Sequence, residues 1–209
     1  MNRFEETARP VIFGNGDIDF PYWGKGSSVL LATSNNYYWL TASHVITAMG
    51  GSAQTLRIFP SENSKISLPF NEQYTVKTEI SEDEEHKDIF ALRINIDEFD
   101  EFGDAQLVAQ DIKNGSLPAE KLTVDEELWV IGYPAESNSI DYERNQFQNT
   151  RSVIRAKYKG SSVSDHCHMA KIESSIFLAS YDGLSGHPIQ HKSTSIIRRI
   201  SRAQNNPLV

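Results

Sequence analysis

The sequence predicts an all-β sandwich or barrel built in two halves. Short apolar runs alternate with turn chemistry about every eight to twelve residues along the chain. No helical periodicity longer than about three turns occurs before residue 193. Each half carries about five strand candidates, and no internal repeat is visible.

The first half opens with a hairpin. Residues 28–33 and 37–40 are apolar runs, and Ser34-Asn35-Asn36 is the turn between them. The second run leads straight into Thr41-Ala42-Ser43-His44, and residues 45–49 read as one helical turn after it. Further strands are predicted at 56–59, 74–80 and 89–94, the first of them ended by Pro60, which cannot continue a ladder. An acidic stretch at 97–104 carries Phe99 and Phe102.

Residues 110–121, with Asn114-Gly115-Ser116 and Pro118, read as the linker between the halves. A strong strand follows at 127–133, through Leu128-Trp129-Val130-Ile131, and stops at Gly132-Tyr133-Pro134. Residues 135–148 are polar and read as a loop. Strands are predicted at 152–159 and 169–172, an apolar approach at 176–180, and one more strand at 189–191. The division is therefore 1–109 for the first lobe, 110–121 for the linker, 122–192 for the second lobe and 193–209 for a basic tail or helix. In that tail Ile196, Ile197 and Ile200 stand at roughly helical spacing among Arg198, Arg199 and Arg202.

Length and charge bound the function. At 209 residues the chain buries most of its apolar surface without staples. A net charge of −8 argues against general nucleic-acid binding. The one cysteine, Cys167, cannot form a disulfide within the chain, so no oxidising compartment is required. Residues 1–10 mix Arg3 and Arg9 with Glu5 and Glu6 and lack the apolar run of a secretory leader. No stretch approaches the ~20 apolar residues of a membrane span. The expectation is a cytoplasmic protein with no membrane or nucleic-acid partner.

Three residues stand out chemically. His44 follows an apolar hairpin and precedes Val45-Ile46; it is a candidate general base, or a strand-end histidine satisfied by backbone. Asp88 ends the charged run Glu82-Asp83-Glu84-Glu85-His86-Lys87 just where an apolar strand begins. An aspartate there can be held at a strand mouth to orient a histidine, or simply close a solvated loop; Asp83 is the weaker candidate. Ser185 lies between Gly183-Leu184 and Gly186, glycines that allow a tight turn with the hydroxyl outward. A serine hydroxyl is a poor nucleophile until a histidine takes its proton, and a carboxylate fixes that histidine's tautomer.

Thr41-Ala42-Ser43-His44, Asp88-Ile89-Phe90-Ala91-Leu92 and Gly183-Leu184-Ser185-Gly186-His187-Pro188 together resemble the three signature segments of the trypsin/chymotrypsin-like serine proteases, in that family's order. The resemblance covers roughly residues 24–190 and is nearest in flavour to bacterial trypsin-like peptidases. It implies two six-stranded antiparallel β-barrels with the site in the cleft between them. It implies peptide-bond hydrolysis without a cofactor, on a polypeptide substrate. Ser185 would be the nucleophile, His44 the general base and then general acid, and Asp88 the residue orienting His44. The N–H groups of Gly183 and Ser185 would form the oxyanion hole, and Ala179 and Ser180 would belong to the substrate pocket.

The departures from the pattern also have consequences. Leu184 stands where the family has an aspartate, so activation by pairing with a newly cut N-terminus is not expected. Ala179 offers no counter-charge, so small or apolar residues are expected before the scissile bond. His187 replaces a glycine. No glycine follows Gly186, although the family closes its second barrel with a glycine-turned hairpin there. A C-terminal helix is one reading of the tail. A truncated or replaced C-terminus is the preferred one, with an incomplete second barrel and a weak or inactive protease as its consequence.

Two rivals remain. One is a catalytically inactive domain of the same fold, acting as a binding or scaffold module. The other is a metal-binding protein built on Asp165-His166-Cys167-His168, with His187 and His191 downstream as the partners at hand. Its spacing lacks the usual paired ligands, and in a strand His166 and His168 would share one face.

Overall fold

A computed structural model describes residues 3–24, 26–47, 50–60, 67–76, 88–96, 107–144, 146–161, 168–173, 189–191, 194–196 and 203–207. The first half contains β1 (Ala8–Pro10), β2 (Ile12–Gly14), β3 (Tyr22–Trp23), β4 (Ser27–Ala32), β5 (Tyr37–Thr41), β6 (Leu56–Arg57), β7 (Phe70–Val76) and β8 (Phe90–Ile94). The second contains β9 (Gln110–Asp111), β10 (Ser116–Leu117), β11 (Glu127–Gly132), β12 (Asn138–Asp141), β13 (Gln146–Asn149), β14 (Ser152–Ser161), β15 (His168–Ile172), β16 (Ile189–His191), β17 (Thr194–Ile196) and β18 (Ala203–Pro207).

The first sheet runs β1-β4-β5-β8-β7-β18, with β9 beside β4. Its centre follows from apolar alternation. Leu30 lies opposite Trp39, and Trp39 opposite Leu92, so the three share one face. All three are buried, and they form one core with Val11, Phe13 and Leu56. Burying one such side chain stabilises the fold by about 1.5–3 kcal/mol.

The second sheet runs β10-β17-β16-β11-β14-β15. β11 uses both of its faces. Leu128 and Val130 join Ile154, Ala156 and Tyr158 in a second core. Ile131 and Tyr133, of opposite parity, pack instead against Ala8 of the first half. The Tyr133 N–H donates to Ser27 Oγ at 2.7 Å, and Arg151 Nη1 donates to the Glu5 carbonyl at 3.0 Å. These contacts hold the halves together.

Several expectations need correction. Residues 135–148 are not a plain loop, because β12 and β13 form a hairpin there. Its Phe147 packs against Tyr22 and Phe59, with ring centroids 5.2 and 5.9 Å apart, and so a distant aromatic pair supplies what the polar sequence lacks. The stretch 110–121 holds β9 paired with β4, and β10 paired with β17. A helical turn, Ile112–Gly115, lies between them, capped by Asp111 Oδ1, which accepts from the Lys113 and Asn114 N–H groups.

The helical reading of 193–204 does not hold for its described part. Thr194–Ile196 is extended and pairs with both β16 and β10, and Ala203–Pro207 pairs with β7. Ladder pairing takes Ile196 into a strand, while Ile197 and Ile200 lie outside the described residues. The tail thus supplies strands to both sheets, and the second sheet reaches six strands with β16 and β17 in it. The approach at 176–180 lies outside the described residues. Among the described residues no helix is long and apolar enough to cross a membrane.

Candidate active site

β5 and β8 are antiparallel, and their last paired residues at one end are Thr41 and Phe90. The chain leaving β5 and the chain entering β8 therefore emerge side by side. That places residues 42–44 next to residues 88–89. Helix α1 (Ser43–Thr47) begins at once after β5. Val45 and Ile46 are buried and pin the helix to the core, which leaves His44 on its outward side with 53% of its side chain exposed. Gly26 (φ +132°) lets β4 begin hard against this helix. A Cβ there would lie 2.6 Å from Val45 Cγ1. Thr41 Oγ1 donates to the Ser27 carbonyl at 2.8 Å, so the segment before the histidine is tied to β4.

Asp88 meets His44 at two atoms. Its Oδ1 accepts from the His44 backbone N–H at 2.8 Å, and its Oδ2 lies 2.6 Å from His44 Nδ1. The N–H is one of the unpaired donors at a helix start, so the carboxylate also serves as a local cap. A carboxylate only accepts, so Nδ1 carries the proton toward it. Nε2 is then the nitrogen with a free lone pair in the neutral ring, able to take a proton from a third group. The backbone contact is a part of the site that sequence reasoning missed. Its signal was the helical turn beginning at Ser43, which leaves N–H groups in need of an acceptor.

No family model matches the chain, and no curated protein matches it in sequence. Solved structures do match. Mouse neuropsin, a serine protease expressed in the limbic system of the brain, is similar with a TM-score of 0.55 and 14% identity, over 93% of this chain and 81% of that one. The scabies mite inactivated protease paralogue S-D1 gives 0.54 and 13%, over 90% and 78%. Human heparin binding protein gives 0.50 and 10%, over 92% and 78%.

The fold is that of the trypsin-like serine proteases. Within this trypsin-like double barrel, His44 and Asp88 come together from the first sheet. The other expected site residues, Gly183, Ser185, Ala179 and Ser180, lie outside the described residues, as do Asp83, Leu184 and His187.

Of the metal-binding reading, His166 and Cys167 also lie outside them. His168 is on β15, where its Nδ1 is 2.7 Å from Tyr158 Oη. That nitrogen is engaged by a phenol. Among the described residues no group of three or more His, Cys, Asp or Glu side chains is placed to hold a metal ion.

Proposed function

We propose that the chain is a serine-type endopeptidase, of the bacterial trypsin-like peptidase type, acting on polypeptides through Ser185, His44 and Asp88. The observation that carries this reading is the two-point contact between Asp88 and His44, which leaves Nε2 as the proton acceptor. The sequence Gly183-Leu184-Ser185-Gly186 supports the serine as the third member.

The chemistry runs in two halves. Ser185 Oγ attacks the peptide carbonyl carbon while its proton passes to His44 Nε2. The carbonyl π electrons move to oxygen, and the N–H groups of Gly183 and Ser185 receive the oxyanion. Such donors are worth ~2.7–4 kcal/mol each. Collapse re-forms the carbonyl, breaks the C–N bond and gives the amine the proton from Nε2. A water molecule then repeats the cycle on the acyl-enzyme, returning Ser185 and releasing the carboxylic acid. With Ala179 in the pocket, small or apolar residues are favoured before the cleaved bond. The single cysteine fits a reducing compartment such as the cytoplasm.

An active-site fluorophosphonate tests the assignment. It is expected to label the protein at Ser185, with no label on Ser185→Ala or His44→Ala. Labelling of another serine, untouched by Ser185→Ala, overturns it. The second reading, an inactive trypsin-like binding module, is supported by the likeness of the fold to the scabies mite inactivated protease paralogue S-D1. Its result is a folded protein that takes no label.

A further inference from the structure

The loop between β2 and β3 carries apolar side chains into solvent. Ile18 is 93% exposed and Phe20 54% exposed. The loop is nevertheless ordered by its own hydrogen bonds. Its mouth is closed by the Asn15 N–H to the Pro21 carbonyl at 3.0 Å. Asn15 Oδ1 accepts from the Asp17 N–H, and Asp17 Oδ1 accepts from the Asp19 and Phe20 N–H groups.

The second half of the molecule meets this loop. Tyr142, in the turn of the β12–β13 hairpin, packs edge-to-face on Phe20 with centroids 4.8 Å apart and planes at 75°. Its Oη donates to the Tyr22 carbonyl at 3.0 Å. Tyr142 is itself 37% exposed. The result is a preformed apolar ledge shared by both halves. Acidic residues are its neighbours in the chain: Asp17 and Asp19 on the loop, Asp141 and Glu143 on the hairpin, where Asp141 pairs with Arg144 at 3.9 Å.

We infer that this ledge is a docking surface for a polypeptide segment in which lysine or arginine residues flank a large apolar side chain. The apolar anchor follows from Ile18, Phe20 and Tyr142. Ordered aromatic groups bind at low entropic cost because little is left to fix. The basic flanks follow from charge complementarity with the exposed carboxylates of Asp19 and Glu143, which stand next to Phe20 and Tyr142 in the chain. An anionic membrane surface or a nucleic acid would be repelled by the same groups. The ledge stands independently of catalysis at Ser185.

The test uses the full chain carrying Ser185→Ala, so that hydrolysis cannot be confused with binding. The probe is a fluorescein-labelled peptide alternating lysine and leucine, read by anisotropy. A control peptide has glutamate in place of lysine. The lysine peptide is expected to bind and the glutamate peptide is not. Ile18→Ser with Phe20→Ser is expected to weaken binding about tenfold or more. Asp19→Asn with Glu143→Gln is expected to weaken it and flatten its salt dependence. All four positions are at the surface, and unchanged melting temperatures verify the fold of each variant. Absence of binding, equal binding of both peptides, or binding indifferent to the Ile18/Phe20 change each overturns the proposal. So does a concentration-dependent dimer abolished by Ile18→Ser, since a second copy would then be the occupant. Fluorophosphonate labelling of the parent chain is expected to be the same with or without the ledge substitutions, which separates this result from the fate of the peptidase reading.

Discussion

Asp88 holds His44 by backbone and ring together, at 2.8 Å to the main-chain N–H and 2.6 Å to Nδ1. The contact sets both where the imidazole sits and which nitrogen bears the proton. Asp88→Asn retains an oxygen for the backbone N–H but turns an NH₂ group toward Nδ1. The ring then places its proton on Nε2, where a base needs a lone pair. Peptide hydrolysis is expected to fall on the order of 10⁴ in kcat with the melting temperature little changed. An unchanged rate in a hydrolysing preparation would refute the orienting role.

Ser27 joins β5, the strand that precedes the histidine, to the second half. Its carbonyl accepts from Thr41 Oγ1 at 2.8 Å, and its Oγ accepts from the Tyr133 N–H at 2.7 Å. Both Ser27 and Tyr133 are fully buried. Ser27→Ala removes an acceptor of a buried N–H, at an expected cost of about 1–3 kcal/mol. Urea unfolding measures that loss, and hydrogen exchange at the Tyr133 amide is expected to accelerate with it. No change in either would mean that the contact contributes nothing.

Gly24 faces a steric limit of a different kind. Its φ is +155°, and a Cβ there would come within 2.3 Å of the Val11 carbonyl oxygen. The obstacle is backbone, which cannot swing aside as a side-chain end can. Gly24→Ala is expected to cost about 1–3 kcal/mol or more. A thermal melt identical to that of the parent would contradict the close approach.

Tyr74 supplies a pH dependence. Burial, and then the neighbouring Glu72 carboxylate to which its hydroxyl donates, push this phenol up to about 12 from its ordinary 10.0. The folded value lies above the unfolded one. Its stabilising contribution is therefore complete below about 10 and is lost as the pH rises toward 12. Tyr74→Phe is expected to remove that part of the alkaline loss of stability. Urea midpoints followed from pH 9 to 12 check it, and parallel curves for parent and variant would rule it out.

The central strands were legible in the sequence because their signals are local. β4, β5, β8, β11 and β14 are apolar or alternating runs bounded by turn residues, and each lies within a few residues of its expected place. The short strands were not. β9 and β10 are two residues each, and β12 and β13 are polar. Their backbone groups find partners that no local pattern announces. β18 is the extreme case. Ala203–Pro207 is rich in residues depleted from strands, yet it pairs with β7 over five positions.

By itself the sequence determined the all-β class and the major strands, and it singled out His44, Asp88 and Ser185 in three ordered segments. Apolar period, turn chemistry and short motifs are all written within a few neighbouring residues. Only the tertiary structure decided that Asp88 reaches both the ring and the backbone of His44, that Ser27 ties Thr41 to Tyr133, and that Phe20 packs on Tyr142. Those relations depend on ladder register and on the meeting of the two halves. The His44–Asp88 pair spans 44 positions and Ser27–Tyr133 spans 106. Contacts at such separations are set by how buried faces pack, a condition on the whole chain that no single segment carries.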